Sequence, residues 1–301
     1  MTVLEVIQKS AEFLTKKGVD SPRLQTELLL AHVLKLPRMK LYLNFERVLT
    51  NVELDAVREL VKRRGRREPL QHITGSTSFC GLEMSVNRNV LVPRPETELL
   101  AEAGWEFLGK HSTSNIQHPT SNAELAGSET GAPTALDFGT GSGCIAIALA
   151  VKCPAARIVA LDASAEALAM AKQNSERNNV ADRIEFLHGD GFAALSQGAS
   201  FDLLISNPPY IPSAEIATLQ PEVREFDPRA ALDGGVDGLD FYRRLAAEAS
   251  PFLKPHGKIM LEFGDGQAGD IRTIFEAQKW CVESIREDYT KRPRILIARR
   301  D

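Results

Sequence analysis

Strand-like and helix-like segments alternate through the second half of the chain, and this alternation limits the possible folds more than any other feature of the sequence. The strand-like runs include TALDF, RIVALD, RIEFLH and FDLLIS, and segments with helical spacing lie between them. Such alternation predicts a mostly parallel sheet with helices on both faces. Ligands of these sheets bind beyond the carboxyl ends of the strands. We therefore predict an α/β domain over residues 134–301, with its site at that edge.

Residues 1–70 have a different pattern, with apolar residues spaced as on the buried face of helices. Ser21 is a good residue to begin a helix, and Thr50 with Glu53 forms a capping-box pattern. Gly65 is placed to end the helix that Thr50 begins. These signals predict a small helical domain over residues 1–70.

Two segments separate the helical domain from the α/β domain. Residues 71–108 contain short strand-like runs around Gly81 and then helical spacing from about Pro95, which predicts a hairpin connector and a linking helix. Residues 109–133 are rich in Ser, Thr, Asn and Gly and have no periodicity. This composition predicts a mobile, low-complexity insertion.

The composition of the 301-residue chain argues against several classes of protein. A formal net charge of −4 gives no whole-chain attraction for nucleic acid. The 4 cysteines are scattered without a C-x-x-C pair, so neither a zinc site nor a disulfide framework is indicated. The longest apolar run, CIAIALAV, is too short to span a bilayer, and the N-terminus lacks the apolar centre of a signal peptide. We expect a cytoplasmic protein without a bound metal or a membrane anchor.

A glycine-rich turn and a carboxylate follow the first two strands of the α/β domain. Gly139, Gly141 and Gly143 lie between a strand and a helix, where glycine permits a tight turn and presents N–H groups to a ligand. Cys144 stands where the dinucleotide fingerprint has its third glycine, which argues against NAD. Asp162 ends the second strand, where a carboxylate can accept hydrogen bonds from ribose hydroxyls. Its alternative role is to cap the following helix.

The third and fourth strands also end in candidate polar groups. Asp190 is placed to accept a hydrogen bond from the exocyclic amine of adenine, or else serves in an ordinary turn. Asn207, Pro208, Pro209 and Tyr210 follow the fourth strand. The two prolines fix the backbone and remove two N–H groups, so the carbonyls here are free to accept hydrogen bonds from a ligand. The alternative is a rigid corner between strand and loop.

Together, the glycine turn, the carboxylate after the second strand and NPPY after the fourth resemble the class I S-adenosylmethionine-dependent methyltransferases. The resemblance implies a Rossmann-like, mostly parallel seven-stranded sheet and S-adenosylmethionine as cofactor. The implied cofactor-binding residues are Gly139, Thr140, Gly141, Ser142, Gly143, Asp162, Asp190, Gly191 and Asn207.

The NPPY segment resembles the branch of these enzymes that methylates amino groups on planar nitrogens. That resemblance implies that the Asn207 side-chain oxygen and the Pro208 carbonyl accept the two N–H donors of a substrate NH₂ group. Pro209 completes the segment, and Tyr210 would pack against the planar substrate group.

Longer segments are similar to the HemK/PrmC family of protein-(glutamine-N5) methyltransferases. They are NVLVPRPETELL, FCGLEM, SNPPYIP and EFDPRAALDGGVDGLDFYRRL. The family implies methylation of the glutamine in the Gly-Gly-Gln motif of peptide-chain release factors. The N-terminal helices have amphipathic faces and no catalytic constellation, so we expect the helical domain to choose this protein partner. We expect neither a membrane nor a direct nucleic-acid substrate. One departure is Gly191, where family members often have a large side chain near the adenine ring, so Phe192 or a neighbour would cover the ring.

Two alternatives to this function remain open at the level of the sequence. One is an amino methyltransferase that acts on DNA or RNA bases, which should carry a basic target-recognition region. The other is a module that binds the cofactor without catalysis, against which the intact NPPY segment argues.

Overall fold

The computed structural model describes residues 1–113 and 131–300. The chain forms two compact units, of which the first contains Met1–Ser76 and Thr218–Asp227 and the second contains Thr77–Ala217 and Pro228–Asp301. Most of the predicted insertion at 109–133 lies outside the described residues. The domain boundaries read from the sequence stay predictions, but they do not anticipate that residues 218–227 join the first unit.

The first unit consists of helices, and those within residues 1–76 surround one apolar core. The helices are α1 (Val3–Lys16), α2 (Pro22–Leu34), α3 (Arg38–Leu41), α4 (Asn51–Gly65), α5 (Leu70–Thr74) and α9 (Pro221–Phe226). Val3, Ile7, Leu14, Leu29 and Leu30 are among the buried side chains of this core. The helical character predicted for this region is confirmed.

Of the residues predicted to begin helices in this unit, Thr50 does so as expected and Ser21 does not. Thr50 and Glu53 form the predicted capping box at the start of α4. Ser21 does not cap α2, because its backbone is left-handed with φ 47° and its side chain makes no capping hydrogen bond. Gly65 is the last residue of α4, where a Cβ atom would lie 2.6 Å from the Phe13 ring, so this glycine permits close packing of α1 on α4.

A partly buried ion-pair cluster joins the two chain segments of the first unit. Glu222 in α9 accepts hydrogen bonds from Arg64 Nη2 at 2.7 Å and from Arg67 Nε and Nη2 at 2.6 and 2.7 Å. Burial opposes the charge of this carboxylate, but the two arginines hold the pKa of Glu222 below its ordinary value. The bidentate geometry with Arg67 is the strong form of such pairs.

The second unit is built on a seven-stranded sheet within the described part of the chain. Its strands are β3 (Thr134–Phe138), β4 (Arg157–Asp162), β5 (Ile184–His188), β6 (Phe201–Ser206), β7 (Leu253–Glu262), β8 (Trp280–Glu287) and β9 (Pro293–Arg300). They lie in the order β5-β4-β3-β6-β7-β9-β8, and all neighbours are parallel except the pairs that involve β9.

Helices cover the sheet, and two apolar cores fill the space around it. The helices are α6 (Pro95–Thr113), α7 (Cys144–Lys152), α8 (Ala165–Arg177), α10 (Asp240–Glu248) and α11 (Ala268–Ala277). The predicted strands and the parallel α/β fold are confirmed, whereas α11 was not predicted. The linking helix α6 runs to Thr113 and so extends past its predicted end at residue 108.

The hairpin predicted before α6 is present and is tied to the glycine turn. Strands β1 (Ser76–Phe79) and β2 (Leu82–Ser85) are joined at Cys80 and Gly81, both with positive φ, as a two-residue turn of type I′ requires. Asn174 of α8 is fully buried. Its Oδ1 accepts from Ser85 N at 2.7 Å, and its Nδ2 donates to Ser85 O at 3.0 Å and to Ser142 O at 2.9 Å. One amide side chain therefore fixes both the end of β2 and the glycine turn.

Replacement of Asn174 with Ala should lower the free energy of unfolding by at least about 3 kcal/mol, because it removes the partner of three backbone groups and each such group left unsatisfied costs about 1–3 kcal/mol. Urea unfolding measures this change. Gln173→Ala is the matched control on the same helix, since Gln173 is exposed. A loss for Asn174→Ala no larger than that of the control would contradict the assigned role.

Candidate active site

A cavity of about 410 Å³ lies in the second unit at the carboxyl ends of β3, β4 and β6. The residues that line it come from the glycine turn, the ends of β4 and β6, the segment before α6 and the loop around residues 228–231. Among the candidate residues, the cavity brings together Gly139, Thr140, Gly141, Ser142, Asp162, Asp190, Gly191, Asn207, Pro208 and Pro209. Gly143 and Tyr210 are not among its lining residues.

The glycines of the turn have two different functions in the structure. Gly139 and Gly141 have φ values of 75° and 55°, and apart from the adjacent residues of the chain no atom lies within 4 Å of the position of an added Cβ. They therefore leave open space through which a ligand can reach the backbone. Gly143 also has a positive φ, but an added Cβ would lie 2.9 Å from Ala171 Cβ, so this glycine permits close packing of α7 against α8.

The backbone N–H groups of the turn are directed differently from the prediction. Gly139 N and Thr140 N both donate to Leu161 O, at 2.8 and 2.9 Å. Gly141 N donates to Asp162 Oδ2 at 2.8 Å. These three donors are used within the protein, so this part of the turn offers a ligand open space rather than the N–H groups expected from the sequence.

Asp162 holds the turn and faces the cavity. Its Oδ2 accepts from Gly141 N, and its Oδ1 accepts from Ser164 N at 2.8 Å. The helix α8 is capped by Ser164, whose Oγ accepts from Ala167 N at 3.1 Å, so Asp162 is not the capping residue. Each carboxylate oxygen has a second lone pair available for a further donor.

Arg244, which the sequence analysis did not single out, is hydrogen-bonded to Asp190 and lies against Gly191. Arg244 Nη1 donates to Asp190 Oδ1 at 2.7 Å, and Arg244 Nη2 donates to Asp190 O at 3.1 Å. The guanidinium group occupies the space that a side chain at Gly191 would fill. The Asp190 side chain is 82% exposed. Phe192 does not take the place of the missing side chain, because it is buried in the core, stacked on Phe252 with ring centroids 4.9 Å apart.

The NPPY segment presents its asparagine to the cavity through a defined hydrogen bond. Asn207 Nδ2 donates to Thr97 Oγ1 at 3.0 Å, which leaves Oδ1 as the free end of the amide. The Tyr210 ring packs against Gly264, and burial raises the pKa of its hydroxyl to about 12. The Tyr210 carbonyl accepts from Gln267 Nε2 at 2.9 Å, which anchors the end of the segment.

Two buried carboxyl groups next to the cavity were missed by the sequence analysis. Asp137 Oδ2 accepts from Thr140 Oγ1 at 2.6 Å and from Ala146 N at 3.0 Å, and burial raises its pKa to about 7. Glu262 ends β7, and burial raises its pKa to about 7, although the Thr97 hydroxyl acts in the opposite direction. The signal in the sequence was an acid inside each of the apolar runs TALDF and KIMLEF.

Neither a metal-binding cluster nor a membrane-spanning helix occurs in the described part of the chain. Within residues 1–113 and 131–300, no group of three or more His, Cys, Asp and Glu side chains could hold a metal ion. None of the described helices combines the length and apolar character needed to cross a bilayer.

Comparison with known proteins identifies the chain by family. Residues 5–75 match the family model of the PrmC N-terminal domain, and residues 125–221 match the methyltransferase small domain. The catalytic domain of hMettl16, solved in complex with the MAT2A 3'UTR hairpin 1, has a TM-score of 0.52 at 16% identity, covering 83% of this chain and 81% of that one. That likeness concerns the fold alone, and it agrees with the predicted class I methyltransferase fold.

Two curated relatives are similar over nearly their whole length, and both are named release factor glutamine methyltransferase. The protein of Geobacter sulfurreducens is 43% identical, covering 93% of this chain and 90% of the relative. The protein of Chlorobaculum tepidum is 41% identical, covering 98% of this chain and 96% of the relative. The predicted resemblance is thereby confirmed, and the chain belongs to the release factor glutamine methyltransferase family.

Proposed function

We propose that this protein transfers the methyl group of S-adenosylmethionine to the side-chain amide nitrogen (N5) of the glutamine in the Gly-Gly-Gln motif of peptide-chain release factors. The observation that carries the proposal is that one cavity combines the glycine turn and Asp162 with the free acceptor of Asn207. Because translation terminates in the cytoplasm, the proposal includes a cytoplasmic location and a protein substrate.

The residues of the cavity fit S-adenosylmethionine. Open space above Gly139 and Gly141 admits a ligand close to the backbone, and the free lone pairs of Asp162 suit the two ribose hydroxyls. When bound, this cofactor supplies an electrophilic methyl group on a sulfonium. We assign Thr140, Ser142, Asp190 and Gly191 to the same binding site because they line the same cavity.

The chemistry required of the protein is to make an amide nitrogen react. The lone pair of such a nitrogen is delocalised into its carbonyl group, so the nitrogen is a poor nucleophile. Asn207 Oδ1 and the Pro208 carbonyl would accept its two N–H donors and thereby orient the lone pair. The same two acceptors stabilise the positive charge that develops on nitrogen during transfer. Pro209 keeps the Pro208 carbonyl out of any helix or sheet.

We assign recognition of the release factor to the helical unit. A site that binds only an NH₂ group cannot distinguish one glutamine from another, so discrimination requires a larger surface. Several large apolar side chains of this unit are exposed, among them Met39, Leu43, Val48 and Val52. Exposed apolar groups of this size are suited to docking a folded partner.

Asn207→Ala should lower turnover by about two to three powers of ten while leaving cofactor affinity nearly unchanged, the usual effect of losing one preorganised electrostatic contact. Transfer of labelled methyl groups to a release factor measures turnover, and calorimetry measures cofactor affinity. Parallel assays with DNA and RNA test the alternative substrates, and methylation of either by the wild type in place of the release factor would overturn the proposal. A folded Asn207→Ala variant with normal turnover would remove Asn207 from the mechanism.

Asp162→Ala should weaken S-adenosylmethionine binding by at least about tenfold, since a hydrogen bond to a charged group contributes about 1.5–3 kcal/mol. Turnover at saturating cofactor should change less, because these contacts are the same in the ground and transition states. Calorimetry tests the ribose assignment, and unchanged affinity in a folded variant would refute it.

Leu43→Lys and Val52→Lys should reduce methylation of the intact release factor without changing that of a short Gly-Gly-Gln peptide. The two side chains are 77% and 81% exposed, so neither change should affect folding. Gln173→Lys, an exposed substitution on the second unit, is the control. If both variants methylate the intact release factor at the wild-type rate, Leu43 and Val52 have no part in partner recognition.

A further inference from the structure

One face of helix α10 lies against the segment that follows β5. Arg244 Nη1 donates to Asp190 Oδ1 at 2.7 Å, and Arg244 Nη2 donates to Asp190 O at 3.1 Å. Phe241 precedes Arg244 by three residues and so lies on the same face of the helix. Phe241 lines the cavity together with Asp190 and Gly191. Helix α10 therefore contributes to the cavity wall at the carboxyl end of β5.

The strand order determines which part of S-adenosylmethionine lies at this wall. The order is β5-β4-β3-β6, so Asp190 after β5 and Asn207 after β6 lie on opposite sides of Asp162 at the end of β4. In the cofactor, the ribose connects the sulfonium group to the adenine. With the ribose at Asp162 and the methyl group at Asn207, the adenine has to lie towards Asp190 and Gly191.

Arg244 does not itself line the cavity, but it holds two residues that do. The Asp190 side chain is 82% exposed, and Arg244 fixes both its carboxylate and its backbone carbonyl. Gly191 permits this contact, because an added Cβ would lie 2.6 Å from Arg244 Cζ. An exposed ion pair contributes little to stability, so the effect of this one is to limit the positions that Asp190 adopts. Asp190 Oδ2 remains able to accept a hydrogen bond from a ligand.

Phe241 supplies a planar surface next to Asp190. Its side chain is half-buried, and among the described residues it belongs to neither apolar core of the second unit. An aromatic ring that lines a cavity is suited to pack on the face of a planar base.

We propose that α10 forms the adenine end of the cofactor site, where Phe241 packs on the ring and Arg244 is a positioning residue that holds Asp190 towards the exocyclic amine. A carboxylate accepts hydrogen bonds and cannot donate them. The site therefore selects adenine over hypoxanthine, which has a carbonyl oxygen in place of the amine. This inference deepens the proposed function and rests on it for the positions of the ribose and the methyl group.

Calorimetry with S-adenosylhomocysteine and its deaminated analogue S-inosylhomocysteine tests the role of Arg244. The wild type should bind the adenine compound more tightly by about tenfold or more. Arg244→Ala should reduce this preference by about threefold to tenfold, because Asp190 must then be ordered on binding. Arg244→Lys should also reduce it, since an ammonium group lacks the planar fork that holds both oxygens. Arg243→Ala is the matched control, because Arg243 is ion-paired with Asp237 and Asp240 on the same helix and should leave both affinities unchanged.

Phe241→Ala should weaken binding of both compounds by about fivefold or more without changing the preference, because stacking does not distinguish the two bases. Unchanged affinities in Phe241→Ala would overturn the assignment of this ring. A wild-type preference retained in both Arg244→Ala and Arg244→Lys would overturn the role of Arg244, and thermal unfolding without ligand shows whether each variant is folded.

Gly191→Ala tests the close contact independently. The added methyl group should displace the guanidinium group, so the loss of S-adenosylhomocysteine affinity should be smaller by about twofold or more when Gly191→Ala is made in Arg244→Ala. The backbone strain of alanine at φ 75° is the same in both backgrounds and cancels in this comparison. Additive losses would contradict the inference.

The outcome for the proposed function is measured separately. A wild type that prefers the adenine compound but methylates no release factor would overturn the proposed function and support the inference. A wild type that methylates a release factor but binds both compounds equally would overturn the inference alone.

Discussion

The parallel pairing of β3 with β4 and β6 is the constraint on which the rest of the site depends. Phe138 pairs with Leu161, and Asp137 pairs with Ile205, so the three strands end at the same edge of the sheet. The residues that follow each strand are therefore neighbours although they are far apart in sequence. If the register of either pair shifted by one residue, the side chains of the shifted strand would move to the opposite face of the sheet.

Two buried carboxyl groups lie near this edge of the sheet, and they make the stability of the fold depend on pH. Asp137 accepts hydrogen bonds from Thr140 and from the start of α7, and Glu262 is buried at the end of β7. Burial raises both pKa values to about 7, well above those of the unfolded chain. A carboxyl group whose pKa is higher in the folded than in the unfolded state stabilises the fold fully below its pKa in the unfolded state. This stabilisation is lost as the pH rises through its pKa in the folded state. These two acids therefore oppose the usual loss of stability in acid, over the range from about pH 4 to pH 7.

Sequence reasoning recovered the parts of the site that local patterns determine. Strand lengths, the glycine turn, Asp162 and the NPPY segment all carry signals within a few residues. Thr97 and Arg244 act through partners 110 and 54 residues away, and no local pattern indicates such a pairing. Ser21 failed as a predicted cap because its backbone is left-handed, which its residue type does not predict. Helix α11 is short, and glycines at 264, 266 and 269 obscure its start.

The first unit contains two segments that the ribosome makes at very different times. Residues 1–76 are synthesised first, but Glu222 follows only after strands β3 to β6 have been made. Until then, Arg64 and Arg67 lack the carboxylate that pairs with both of them. Folding during synthesis usually proceeds domain by domain from the N-terminus. Here the first unit can form all of its ion pairs only after the ribosome has made more than half of the second unit.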